Sequence, residues 1–229
     1  MTIFPGSIYG SMGRLGVGKQ TSAAVPWWLS GGISAANCIA AYQPKGAADL
    51  AASYVNLANP GTYNAAPGVS PNFDSAGWVF TGTQWLTTGI NPNGTKKLYS
   101  IFIRVSNIGD TASPQALLGS YDTSLNSLLI FFVANKYQFY SSGGFDSTEV
   151  VSSAGGVIGI SGANGYVNGI NVCTIPDGLN LDLASGVITI ASTNGTRILK
   201  GGKVQAIAIY NTPLTAPQVA ALTAAMAAL

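Results

Sequence analysis

The chain has 229 residues, of which only 8% are charged against 47% hydrophobic, and its net charge is +2. An average soluble chain is about 25% charged, so the surface here must be built from Ser, Thr, Asn, Gln and Gly. The apolar content excludes disorder, and the absence of any basic cluster larger than the pair Lys96 and Lys97 argues against nucleic acid as a partner.

Residues 1–25 hold five glycines and two basic residues but no acid and no apolar periodicity. They read as an N-terminal arm, either flexible or ordered against a neighbouring subunit. Within it, 13–20 nearly matches the phosphate-loop pattern. Gln20 stands where that loop needs a hydroxyl for magnesium, and Pro26 follows too soon for a helix, so nucleotide binding is rejected. The first five residues carry no basic or long apolar region, which predicts no secretion signal.

The folded part is expected to begin at Pro26, Trp27 and Trp28. A short helix is expected over 45–54, then loop through Pro60, Pro67 and Pro71. From Trp78 onward the pattern is β. Strands are expected at 84–88, 97–105, 116–121, 127–133 and 137–140, with a turn at Asn135 and Lys136. Later strands are expected at 156–161, 166–167, 170–174, 187–191, 197–199 and 204–210. The run 127–133 is continuously apolar, as in a strand buried on both faces. Asn-Gly pairs at Asn93, Asn164, Asn168 and Asn194 mark tight turns, because that dipeptide supplies the positive φ angles such turns need. Asn93 and Asn194 also match the N-glycosylation pattern, but the turn reading is preferred without secretion. Many short strands between turn residues point to an all-β sandwich or barrel.

The chain closes with a helix capped by Thr215, with Pro217 in its first turn and Val219, Leu222 and Met226 on one face. The charge-free stretch 204–229 is cut by Asn211, Pro213 and Pro217, so no membrane span is expected.

Groups for chemistry are scarce. There is no histidine and one glutamate, Glu149, while Asp49, Asp74, Asp110, Asp122, Asp146, Asp177 and Asp182 are scattered. This removes the usual general base and the zinc ligands, and predicts no catalytic residues, no cofactor and no enzyme. Calcium stays open, because aspartate and carbonyl oxygens suffice for it. Cys38 and Cys173 read as two buried thiols, with a disulfide left open. Trp27, Trp28, Trp78, Trp85, Tyr137 and Tyr140 are either core or a stacking platform for sugars. So few charges resist self-association poorly, a hint of a homo-oligomer.

Three segments carry a resemblance. Residues 78–89, the run Gly165-Tyr166-Val167-Asn168-Gly169, and residues 200–215 resemble, in order, the early strands, a hairpin and the closing strand of laminin G-like domains. The resemblance covers about 26–229. It implies a concanavalin A-like jelly-roll sandwich with a short C-terminal helix, preceded by the arm 1–25. Relatives bind glycans, proteins or calcium. Some cleave polysaccharides with a Glu/Asp cluster that this chain lacks. Residues 40–54 resemble the opening of such domains in tailed-phage structural proteins. That implies a virion component (capsid decoration, head fibre or tail protein) joined to other virion proteins through 1–25. The alternative is a carbohydrate-binding module; no ligand-binding residues are transferred from the family.

Overall fold

In the computed structural model, the residues described are 24–92, 98–109, 112–121, 127–141, 144–147, 155–176 and 186–229. The arm, apart from Ala24 and Val25, lies outside them, as do the phosphate-loop look-alike and the turn at Asn93.

The first half holds β1 (Cys38–Tyr42), the one-turn helix α1 (Leu50–Ser53), β2 (Ala66–Val69), β3 (Asn72–Asp74), β4 (Gly77–Phe80), β5 (Trp85–Thr87) and β6 (Ser100–Ser106). Next come β7 (Gln115–Tyr121), β8 (Ser127–Val133), β9 (Lys136–Ser141), β10 (Gly144–Ser147), β11 (Gly156–Ser161), β12 (Asn164–Val167) and β13 (Ile170–Thr174). The chain ends in β14 (Thr189–Ile190), β15 (Gly202–Tyr210) and the helix α2 (Ala216–Ala228).

These strands form two antiparallel sheets. The eight-stranded sheet runs β13-β12-β11-β6-β15-β4-β3, with β1 also paired to β15; the seven-stranded sheet runs β10-β9-β8-β7-β14-β5-β2. The protein is therefore an all-β jelly-roll sandwich with a short C-terminal helix, as expected.

Period-two alternation builds the layers. On β15, Val204, Ile207 and Ile209 point between the sheets, while Ala206, Ala208 and Tyr210 point outward to α2. The small outward alanines let the helix sit close, and Val219, Leu222 and Met226 bury fully against Phe102 and Ala41. Each such side chain contributes about 1.5–3 kcal/mol. The start of α2 is held twice. Gln218 Oε1 accepts from Thr215 N at 3.0 Å and from Thr215 Oγ1 at 3.1 Å. Just upstream, the buried hydroxyls of Ser100 and Ser161 both accept from Leu214 N.

Several expectations are corrected. The helix over 45–54 shrinks to one turn, because Gly46 takes a left-handed φ of 77°. It starts only at Asp49, whose Oδ1 accepts from Ala52 N at 2.7 Å. The pair Asn164 and Gly165 opens β12 rather than turning; the turn lies two residues earlier, at Gly162 and Ala163. The turn after β8 uses Ala134 and Asn135, both at positive φ, and Lys136 already belongs to β9. Residues 197–199 form no strand. Asn168-Gly169 and Asn194-Gly195 are left-handed turns as read, with φ of 51° and 81°, and 50° and 82°.

Cys38 and Cys173 are both free thiols. Cys38 sits in the cluster beneath α2, whereas Cys173 packs against the inter-sheet core. Burial pushes the Cys38 thiol up to about 12, partly offset by a hydrogen bond with the Ala40 backbone.

Candidate functional site

A sheet face that meets water normally carries polar side chains. The centre of the outer face of the seven-stranded sheet does not, although Lys136 and Gln138 on β9 keep its margin polar. On β8, Leu128, Ile130 and Phe132 point into the inter-sheet core, which sends Leu129 and Phe131 to the outside. Ala116 on β7 joins them, and all three are fully buried. Tyr121 and Tyr140, both half-buried, pack over this patch. Phe131 and Tyr140 meet edge to face, with ring centres 5.5 Å apart and planes at 90°. The expectation that 127–133 is buried on both faces thus holds, and this roof is the reason for it.

A cation completes the roof. Arg197 lies over Phe131 and Tyr121, its guanidinium carbon 5.2 Å and 5.3 Å from the two ring centres. It comes from an arch, residues 191–199, that follows β14. Four arch residues have positive φ: Ala191, Asn194, Gly195 and Arg197. Paired bonds hold this backbone. Thr193 N donates to Thr196 O at 2.8 Å and Thr196 N to Thr193 O at 3.1 Å, closing the Asn194-Gly195 turn. Ala116 N donates to Arg197 O at 2.8 Å, which ties the arch to β7. The side chain therefore projects from a braced backbone.

Trp85 extends the face on β5. Its neighbour Leu86 points into the core, so the indole points out. The ring lies against Gly68, where a Cβ would come within 2.1 Å of it, and against Gly195 of the arch, where a Cβ would lie 3.6 Å away. Beside the arch opens a cleft of about 350 Å³ whose lining includes Ser113, Thr196, Arg197 and Lys200 and, among the described residues, no acid. Burial raises the pKa of Tyr140, the Arg197 charge pulls it back, and Tyr121 adds to the rise.

The six aromatics read from the sequence divide among three places. Trp78 and Tyr137 are core; Trp78 Nε1 donates to Ser53 Oγ at 2.7 Å. Trp27 and Trp28 pack edge to face near α2, on the opposite side of the sandwich. Only Trp85 and Tyr140 reach the outer face described here. Tyr121, Phe131 and Arg197 were missed. The signal for Phe131 was present in the doubly buried run. Arg197 had none, because its place depends on the arch. Among the described residues no three His, Cys, Asp or Glu side chains converge on a metal-sized site; Asp110, Asp122, Glu149, Asp177 and Asp182 lie outside them.

No protein-family model matches the chain, and no curated protein matches it. Solved structures do. A Trypanosoma rangeli sialidase in complex with sialic acid is similar at a TM-score of 0.58 and 11% identity, over 82% of this chain and 33% of that one. The receptor binding domain of botulinum neurotoxin C/D mosaic serotype is similar at 0.56 and 10% identity, over 82% of this chain and 51% of that one. The chain thus spans about a third of the sialidase and about half of the neurotoxin domain. At such identity the likeness shows the fold. It also corrects one expectation. Scarcity of catalytic side chains predicted a chain outside enzymes, yet this sandwich occurs within sialidases, so it is no mark of a non-enzyme. What is shared with them is the fold, not the activity. The comparisons give the phage expectation no support.

Proposed function

We propose that the protein is a lectin-like module that binds glycans on the outer face of its seven-stranded sheet. The observation that carries this reading is the roof itself. Tyr121 and Tyr140 stand half-exposed over a buried apolar patch with Arg197 across Phe131, on a face that water alone would leave polar. Aromatic rings stack on the apolar faces of sugars, and a few placed polar groups fix orientation. The adjoining cleft offers Lys200 as such a group. The sialidase, in complex with sialic acid, and the neurotoxin receptor binding domain add fold-level analogy only.

A glycan array probed with the full chain tests this. A hit that weakens sharply in both Tyr140→Ala and Arg197→Ala is the expected result. An array without a hit, or a hit untouched by both changes, overturns the reading.

The finer reading, a tailed-phage virion component displaying this sandwich, rests on the resemblance of residues 40–54 alone. Mass spectrometry of purified particles tests it, and absence from them ends it.

A further inference from the structure

The opposite side of the sandwich has a second concavity, where the last turn of α2 meets the eight-stranded sheet. Its construction starts with an irregularity. Strand β15 slips register against β6 between Val204 and Ala206, so that Gln205 is the extra, unpaired residue. Bulges of this kind re-aim a side chain and are common beside ligand sites. Gln205 is only 9% exposed and lines the concavity. Its backbone carbonyl accepts from Lys45 N at 3.2 Å, but its side-chain amide has no partner among the described residues. The amide faces the concavity, where it is free to donate to and accept from a bound polar molecule.

The surrounding groups share this character. Arg104, on β6, donates from Nη1 to the Met226 carbonyl at 2.7 Å and has no carboxylate partner among the described residues. Partial burial lowers its pKa. Asn168 accepts from Val157 N at 3.0 Å through Oδ1. Gly156 leaves it room, since a Cβ there would meet that oxygen at 2.4 Å. Ser106 and Asn107 complete the polar wall. The space is about 450 Å³, within the roughly 300–1,000 Å³ of small-molecule sites, and among the described residues its lining contains no acid.

We infer that this concavity is a ligand site for a small hydroxylated carboxylate of about hexuronate size. A guanidinium fork with no carboxylate partner among the described residues suits a carboxylate, which it can hold by two parallel bonds. The Gln205 and Asn107 carboxamides each offer a donor and an acceptor, and a hydroxyl uses both. The site lies on β6, β11 and β15 in one sheet, whereas the aromatic face lies on β7, β8 and β9 in the other. It therefore stands or falls independently of the glycan-binding proposal.

The test is a titration of the 15N-labelled full chain with D-glucuronate, with D-glucose and acetate as the other arms. Glucuronate should shift the amides of Gly155, Gly156, Asn168 and Gln205 saturably. Glucose, lacking the charge, and acetate, lacking the hydroxyls, should each bind about tenfold more weakly or less, the scale of one lost charge-assisted bond or its equivalent. Gln205→Leu, which keeps the volume, should weaken glucuronate about tenfold while folding as the parent does; Arg104→Met, which keeps the stem, should do so more strongly. Unmoved amides, shifts confined to Tyr121 and Tyr140, equal binding of glucose or acetate, or unchanged affinity in both variants would each overturn the inference.

Discussion

The Arg197 guanidinium rests 5.2 Å from the centre of the Phe131 ring, and the backbone that holds it there has a φ of 47°. Most side chains avoid that region, at a cost of about 1–2 kcal/mol. Two substitutions separate the cation from the backbone. Arg197→Ala loses the ring contacts and keeps the strain, so it should lower stability by about 1 kcal/mol and abolish glycan binding. Arg197→Gly also abolishes binding, but relief of strain should return its stability close to the parent's. Thermal unfolding beside array binding checks both, and a glycine variant that binds would remove the guanidinium from the site.

Gly68 should be intolerant of any side chain. Its Cβ would fall 2.1 Å from the Trp85 ring. Gly68→Ala should displace that indole and cost about 1–3 kcal/mol, the range for overpacking. Trp85 also touches Gly195, so glycan affinity should drop with stability. A shift in tryptophan emission, with denaturant titration for the energy, is the measurement.

Ser100 and Ser161 face each other from β6 and β11 with hydroxyls 3.0 Å apart, and both accept from Leu214 N. Removing either hydroxyl leaves the amide one acceptor; removing both leaves it none. Each single alanine change should therefore cost less than half of the double change, for which about 1–3 kcal/mol is expected. A double-mutant cycle by urea unfolding reads the coupling directly.

Alkaline pH should destabilise the fold through Cys38. Its thiol has an ordinary value of 9.0 and is raised by burial to about 12. The native state therefore holds its proton where the unfolded state has lost it. The contribution to stability is complete below pH 9 and is lost as pH rises from about 9 towards 12. Tyr42 and Tyr210, also raised by burial, push in the same direction at higher pH. Cys38→Ala should flatten the early part of this decline in a series of melts between pH 8 and about 11. An unaltered slope would place the alkaline sensitivity elsewhere.

Much of the architecture could be read where local and tertiary preferences agree. The run 127–133, the left-handed turns at Asn168 and Asn194, and the stripe Val219, Leu222 and Met226 all appear where expected. Strand β1 escaped notice because Ile39, Ala40 and Ala41 have no alternation; both sides of β1 are covered, one by the inter-sheet core and one by α2. The segment 197–199 looked like a strand from Ile198 and Leu199, but its hydrogen bonds go to single residues, Arg197 O to Ala116 N and Leu199 N to Ala191 O, rather than along a ladder. The aromatic face was only half legible for the same reason. Alternation within 127–133 sets Phe131 outward, yet nothing local to Arg197 says that it crosses that ring.

The braced arch also bears on the thermodynamics of recognition. A side chain on a free loop must be ordered when a ligand arrives, which costs about 0.5–1.5 kcal/mol for each long side chain immobilised. Here the two Thr193–Thr196 bonds and the tether from Ala116 impose that order during folding. Association should then lose little conformational entropy on the protein side, and affinity should change little among ligands that differ only in how much loop motion they would have to arrest.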